Sequence, residues 1–130
     1  MEYSHLQSWY CHPRELSSTE KDWMAKMLDV DLPYRDILKE QVENSKAIGE
    51  CKCGCRTINI QVDQTAARKF PYSIRIPVEM SVTEEGKPPI LFLLHLIDGY
   101  IHELEVLRVD STPIIGDIEF RNAEVLVNIE

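Results

Sequence analysis

The chain is predicted to be α+β: two N-terminal helices followed by a mainly antiparallel sheet of about five strands. An Asp98-Gly99 pair sits between two long apolar runs in ILFLLHLIDGYIHELEVLRVD, residues 90–110. Upstream, apolar residues recur at helical spacing between about residues 17 and 43; beyond about residue 50 they alternate with polar ones, as in strands. Nothing helical separates the later strands, which disfavours a parallel βαβ arrangement. The length of 130 residues suits a single domain over 1–130, divided into an arm (1–16), a helical pair (17–45) and a sheet (46–130).

In the arm, Tyr3, Trp9 and Tyr10 show no period, and Pro13 breaks any helix. Ser17-Ser18-Thr19-Glu20 has capping-box spacing and starts the first helix. Trp23, Met24, Met27 and Leu28 form its apolar face, and Leu32-Pro33 ends it. A second helix is predicted from Tyr34 to Glu43 with Ile37, Leu38 and Val42 inward, stopped at Asn44-Ser45.

Among the strands, Ile58, Ile60 and Val62 alternate with Thr57, Asn59 and Gln61. Ile74, Ile76, Val78, Met80 and Val82 alternate likewise, and Pro77 among them cannot donate to a ladder, which predicts an edge strand or a bulge. Residues 84–89, EEGKPP, form an exposed turn into the hairpin. There a two-residue type I′ turn at Asp98-Gly99 sets the register. Ile97 would face Tyr100, His95 face His102, Leu93 face Leu104 and Leu91 face Val106 on one side; on the other, Leu96 would face Ile101, Leu94 face Glu103 and Phe92 face Glu105. Ala123, Val125, Val127 and Ile129 make a final strand after a loop with Pro113 and Gly116.

Composition narrows the function. With 44% apolar and 28% charged residues the chain is outside the disordered class. No stretch approaches the ~20 apolar residues of a membrane span, and MEYSHLQSWYCHPREL lacks a basic region followed by an apolar one, so no secretory signal and a cytoplasmic location are expected. The net charge of −8 argues against nucleic acid or an anionic membrane as a direct partner. It is compatible with a basic partner, and equally with plain solubility.

Three constellations could carry chemistry. Cys51, Cys53 and Cys55 lie in ECKCGCR. A structural zinc site takes four ligands, usually from C-x2–4-C knuckles whose loop lets both sulfurs converge, and C-x-C is shorter. On an extended strand the sulfurs share a face but stand too far apart for one tetrahedral ion unless Gly54 bends the chain. A fourth ligand would have to come from Cys11, His12, His95 or His102. Small reduced residues beside a Gly54 bulge are therefore expected, with no metal or cofactor; metal binding or a thiol switch is the alternative. Opposed His95 and His102 could share a metal or a proton, but their apolar neighbours suggest half-buried packing residues. Asp98, Glu103, Glu105 and Asp110 put carboxylates on the hairpin, where a solvated face or a docking patch for a basic protein is favoured over acid–base catalysis. Dinucleotide, P-loop, nucleophile-elbow, zincin and deaminase motifs are absent from the sequence, and no catalytic residue is assigned.

CKCGCRTINIQVD (51–63) and LHLIDGYIHELEVLRVDSTPI (94–114), behind LSSTEKDWMAKMLD and DILKEQVENSKAIG, resemble a family of small uncharacterised bacterial proteins with a helical pair, a C-x-C-G-C element and a DG hairpin followed by E-L-E-V. The resemblance covers residues 16–114. Small acidic domains of this style are similar to immunity proteins of bacterial toxin systems, including contact-dependent inhibition. The resemblance implies a non-catalytic cytoplasmic inhibitor that binds a basic protein toxin, a nuclease in many such systems; it matches no binding site residue by residue, and the acidic hairpin itself offers Asp98, Glu103, Glu105 and Asp110 as the candidate contact residues. A cysteine/histidine metal-binding or redox-sensing domain, or a small enzyme of unknown reaction, is the rival reading.

Overall fold

The computed structural model describes residues 7–120 and 122–129. Strand β1 (Gln7–Glu15) precedes helices α1 (Ser18–Met27) and α2 (Arg35–Glu43), and then come β2 (Ser45–Cys51), β3 (Ile58–Val62), β4 (Val78–Val82), β5 (Ile90–Ile97), β6 (Tyr100–Arg108) and β7 (Ala123–Val127). All the strands join one antiparallel sheet in the order β1-β2-β3-β6-β5-β4-β7. The α+β class and the antiparallel sheet follow the sequence reading. Two parts of it are corrected: among the described residues the sheet has seven strands rather than about five, and the helices are not N-terminal, because a strand comes before them.

Both helices begin near their expected residues and α2 ends where expected, but α1 stops at Met27, short of the expected end at Leu32-Pro33. Ser17 caps α1 through the predicted box: its hydroxyl accepts from the Glu20 N–H at 3.1 Å, and the Glu20 carboxylate accepts from the Ser17 N–H at 2.8 Å. Arg14 adds a two-pronged pair to the same carboxylate at 2.8 and 2.9 Å. Burial works against the Glu20 charge, but these donors outweigh it and hold the carboxyl below its ordinary range. α1 lies against β4 and α2 against β6. Trp23, Met24, Met27 and Leu28 from α1 and Ile37 and Leu38 from α2 share one core with Ile60, Met80, Ile90, Phe92, Leu94, Leu104 and Val106 of the sheet. Trp23 meets Phe92 edge-on at 5.5 Å between ring centroids.

The residues expected to form an arm include β1, an edge strand whose irregular pairing between Trp9 and Arg14 accommodates Pro13; Tyr3 lies outside the described residues. β2 carries Ser45, Ala47 and Gly49 where apolar residues would have announced a strand. Gly49 has a steric reason: a Cβ there would stand 2.8 Å from Trp9 Cε3 and 2.9 Å from the Ser8 carbonyl. The predicted 73–82 strand is shortened. β4 is an interior strand between β5 and β7, and Pro77 escapes the ladder by lying just before it, its carbonyl accepting from the Asn128 N–H at 2.9 Å.

The hairpin forms about Asp98-Gly99, whose φ of +52° and +84° suit a type I′ turn. Its register is the expected one only for Ile97–Tyr100 and Leu96–Ile101. Then one extra residue, His102, enters β6 as a bulge, and the pairs become His95–Glu103, Leu94–Leu104, Leu93–Glu105 and Phe92–Val106. Leu93 and Leu104 thus lie on opposite faces, contrary to the sequence register. The reason is written in β6: Ile101 and Leu104 are three residues apart, and an odd spacing can serve one face only if a residue is bulged out. The regular register would turn Glu103 and Glu105 into the core opposite Leu94 and Phe92. Burying unpaired carboxylates costs several kcal/mol each, against about 1 kcal/mol for a lost ladder bond.

Gln41 fixes the end of this hairpin. Fully buried in α2, its amide donates to the Arg68 and Gly99 carbonyls, each at 2.9 Å, and its Oε1 accepts from the Ile101 N–H at 2.9 Å. Gln41→Leu, near in size, orphans the Ile101 N–H and weakens two carbonyls; a loss of about 2–4 kcal/mol is expected in denaturant unfolding, and a loss below about 0.5 kcal/mol would contradict this role. Gly99→Val would add strain at positive φ and crowd the Phe70 carbonyl, which an added Cβ would approach to 2.8 Å. A destabilisation of about 2–4 kcal/mol should lower the melting temperature clearly, and an unchanged one would contradict the turn.

Candidate binding face

The helices and the core occupy one side of the sheet. Alternation puts Glu124 and Leu126 of β7, Glu79 and Ser81 of β4, Leu91, Leu93 and His95 of β5, and Glu103, Glu105 and Leu107 of β6 on the other. Leu126 is 56% exposed. Toward the β1 edge, Asn59 is buried, its Oδ1 accepting from Gln7 Nε2 at 2.7 Å.

The bulge at His102 assembles the centre of this face. His95 no longer faces His102; it faces Glu103, with Glu105 two residues along the same strand. His95 Nε2 lies 2.8 Å from Glu105 Oε1 and 3.9 Å from Glu103 Oε1, and Arg75 Nε donates to Nδ1 at 3.2 Å. Since Nδ1 accepts from a guanidinium, the proton of the neutral ring is on Nε2, where it is donated to Glu105. The ligand atoms of His95, Glu103 and Glu105 all lie within 4.8 Å of one another. A metal on Nε2 would nevertheless displace that proton to Nδ1, against the Arg75 N–H. The geometry suits a ring that holds the Glu105 carboxylate at a fixed position, with Glu103 beside it, rather than a metal centre.

The four expected contact residues are therefore not one patch. Glu103 and Glu105 come together. Asp98 sits at the hairpin tip and Asp110 beyond its base, separated by a strand of about 25 Å at ~3.3 Å per residue. Asp110 is occupied locally: its Oδ1 accepts from the hydroxyl and N–H of Thr112 at 2.6 and 3.1 Å, which holds its carboxyl below the usual range. Arg75, which orients His95, was missed in the sequence. It lies in the stretch before Pro77, where the regular strand fails and the Arg75 carbonyl accepts from the Leu96 N–H at 2.7 Å.

At one end of the face, the turn joining β2 to β3 carries the cysteines. Gly54 takes φ +102° and its carbonyl accepts from the Ile114 N–H at 2.9 Å, while Pro113 packs where a Cβ would be. Downstream, the Arg56 N–H donates to the Val106 carbonyl at 2.9 Å and Thr57 Oγ1 accepts from the Val106 N–H at 3.0 Å. The turn is thus tied to both β6 and the 110–116 loop. The bend at Gly54 is the condition under which the three sulfurs converge: Cys51, Cys53 and Cys55 Sγ lie within 4.8 Å of one another, with Cys53 and Cys55 3.1 Å apart. Burial and a Cys53 hydrogen bond push the Cys51 thiol up to about 12; at Cys53 burial acts upward too, but hydrogen bonds from its two neighbours prevail and hold it below the ordinary thiol value. A cleft of about 470 Å³ runs from these sulfurs to Thr57, Glu105 and Thr112.

No protein-family profile matches the chain, and no curated protein or solved structure is significantly similar to it. No helix among the described residues is long and apolar enough to cross a membrane.

The ring arrangement is directly measurable. Nitrogen spectra of neutral His95 should show a protonated Nε2 and a bare Nδ1, and Arg75→Met should release that preference; a protonated Nδ1 in the parent protein would contradict that arrangement.

Proposed function

We propose that this chain is a non-catalytic cytoplasmic binding protein that docks a basic protein on the open face of its sheet, in the manner of an immunity protein that neutralises a toxin. The observation that carries the reading is the composition of that face. Half-buried Leu91, Leu93 and Leu107 and exposed Leu126 are interleaved with Glu79, Glu103, Glu105 and Glu124, on a chain of net charge −8. An apolar centre among carboxylates offers both buried anchors and electrostatic steering toward a positively charged partner. The hydrogen bond from His95 to Glu105 supports the same role, since a carboxylate held in place loses less freedom on binding than a mobile one. The resemblance noted above narrows the partner to a toxin, and the acidity suits one that is itself basic, as a nuclease is.

The test is co-expression with the product of the adjacent reading frame. A toxic, basic product should co-purify with this chain, and the chain should protect cells from it. Association should slow markedly between low and physiological salt, because exposed charges are screened beyond ~8 Å at 0.15 M. Replacing Glu103 and Glu105 with Gln should slow association at least as much as Asp98→Asn with Asp110→Asn, which are remote from the centre of the face. Kinetics indifferent to salt and to the Glu103 and Glu105 changes would reject the docking surface, and failure to protect would reject the immunity role.

A further inference from the structure

We propose that Cys51, Cys53 and Cys55 form a three-thiolate site for Zn2+, with a fourth coordination position open to the adjoining cleft. This inference is independent of the docking reading, because it stands on a different turn and a different geometry. Spacing alone argues against a metal only while the segment is extended. With Gly54 in a left-handed conformation the segment folds back on itself, and all three sulfurs fall within 4.8 Å of one another. Zn–S bonds of about 2.3 Å in a tetrahedral arrangement place sulfurs about 3.8 Å apart. The pair at 3.1 Å and the 4.8 Å limit on all three both lie within about 1 Å of that value, so side-chain movements of about 1 Å suffice.

The setting suits the ion in two further respects. The backbone that shapes the triangle is held independently of it, by the Gly54 carbonyl on Ile114, the packing of Pro113, and the bonds of Arg56 and Thr57 to Val106. The turn is therefore shaped in advance, which lowers the ordering cost of binding. Access is open as well, since Cys53 is exposed and Cys51 and Cys55 are half-buried beside the cleft that Thr57, Glu105 and Thr112 line. Soft thiolate ligands favour zinc over the hard cations that carboxylates select. Among the described residues no fourth ligand belongs to the cluster, which leaves that position for water or for a group carried by a bound partner. Each thiol must lose its proton on binding, so uptake should release protons and weaken as pH falls.

The experiment is titration of the fully reduced chain, kept in a phosphine reductant, with Zn2+ alone, and in parallel with Co2+ as a spectroscopic stand-in. The expected result is one equivalent retained through gel filtration, and a Co2+ spectrum with thiolate charge-transfer bands and tetrahedral ligand-field bands. Cys53→Ser and Cys55→Ser should each abolish stoichiometric retention, while Cys11→Ser leaves it intact. Circular dichroism of the exposed Cys53→Ser variant shows that loss of metal is not loss of fold. If a variant does unfold, the cobalt spectrum of the parent protein still decides, because it reports sulfur ligation directly. Absence of retained Zn2+ in the reduced parent protein, a cobalt spectrum without thiolate bands, or equal loss in Cys11→Ser would overturn the site. A Cys53–Cys55 disulfide in the air-oxidised protein, together with no uptake by the reduced form, would assign the cluster to thiol exchange instead.

Discussion

The molecule depends on one extra residue in one strand. β6 must present Ile101, Leu104 and Val106 to the core while keeping Glu103 and Glu105 out of it, and a strict alternation from the Asp98-Gly99 turn cannot do both. Extruding His102 resolves the conflict at the cost of a local break in the ladder. Downstream of the bulge the apolar residues of β5 and β6 meet face to face, and the core they complete is the one on which both helices rest. The same slip carries the two glutamates to His95. Packing and the polar cluster thus have a single origin.

Gln41 secures that arrangement from the helix side. A polar side chain without solvent exposure is tolerable only if its hydrogen bonds are met, and here they are met by the Arg68 and Gly99 carbonyls and the Ile101 N–H. Together they join α2, the segment before Phe70 and the hairpin turn. The tip is consequently held from both sides, and the register chosen by the bulge has no easy route to slide.

The uncovered side of the sheet then acquires its character from what the core excludes. Leu91, Leu93 and Leu107 are half-buried there and Leu126 is exposed, and the carboxylates sit between them. Arg75 orders the centre through His95, and the cysteine turn closes one end. The closed end and the open face share Glu105, which pairs with His95 and also lines the cleft beside the sulfurs. An ion held by the three thiols would therefore stand close to the open face of the sheet.

The sequence by itself determined the capped first helix, the second helix, the turn at Asp98-Gly99, the β3 alternation and the final strand, because each is a local pattern of period, cap or turn chemistry. It also contained the bulge in retrospect, as the odd spacing from Ile101 to Leu104. It did not disclose β1 or β2, whose strand character comes from pairing: Gly49 is there for Trp9 to lie over, and Ala47 and Ser45 are small and carry no apolar signal. Tertiary structure alone decided that Glu103 and Glu105 come together beside His95 while Asp98 and Asp110 stand apart at opposite ends of the hairpin. It also decided that three cysteines of unpromising spacing converge. Both outcomes depend on where the chain slips or bends by one residue, at His102 and at Gly54. A single-residue change of phase in a strand reverses every side chain beyond it, so its consequences are settled by what the whole sheet and core must bury.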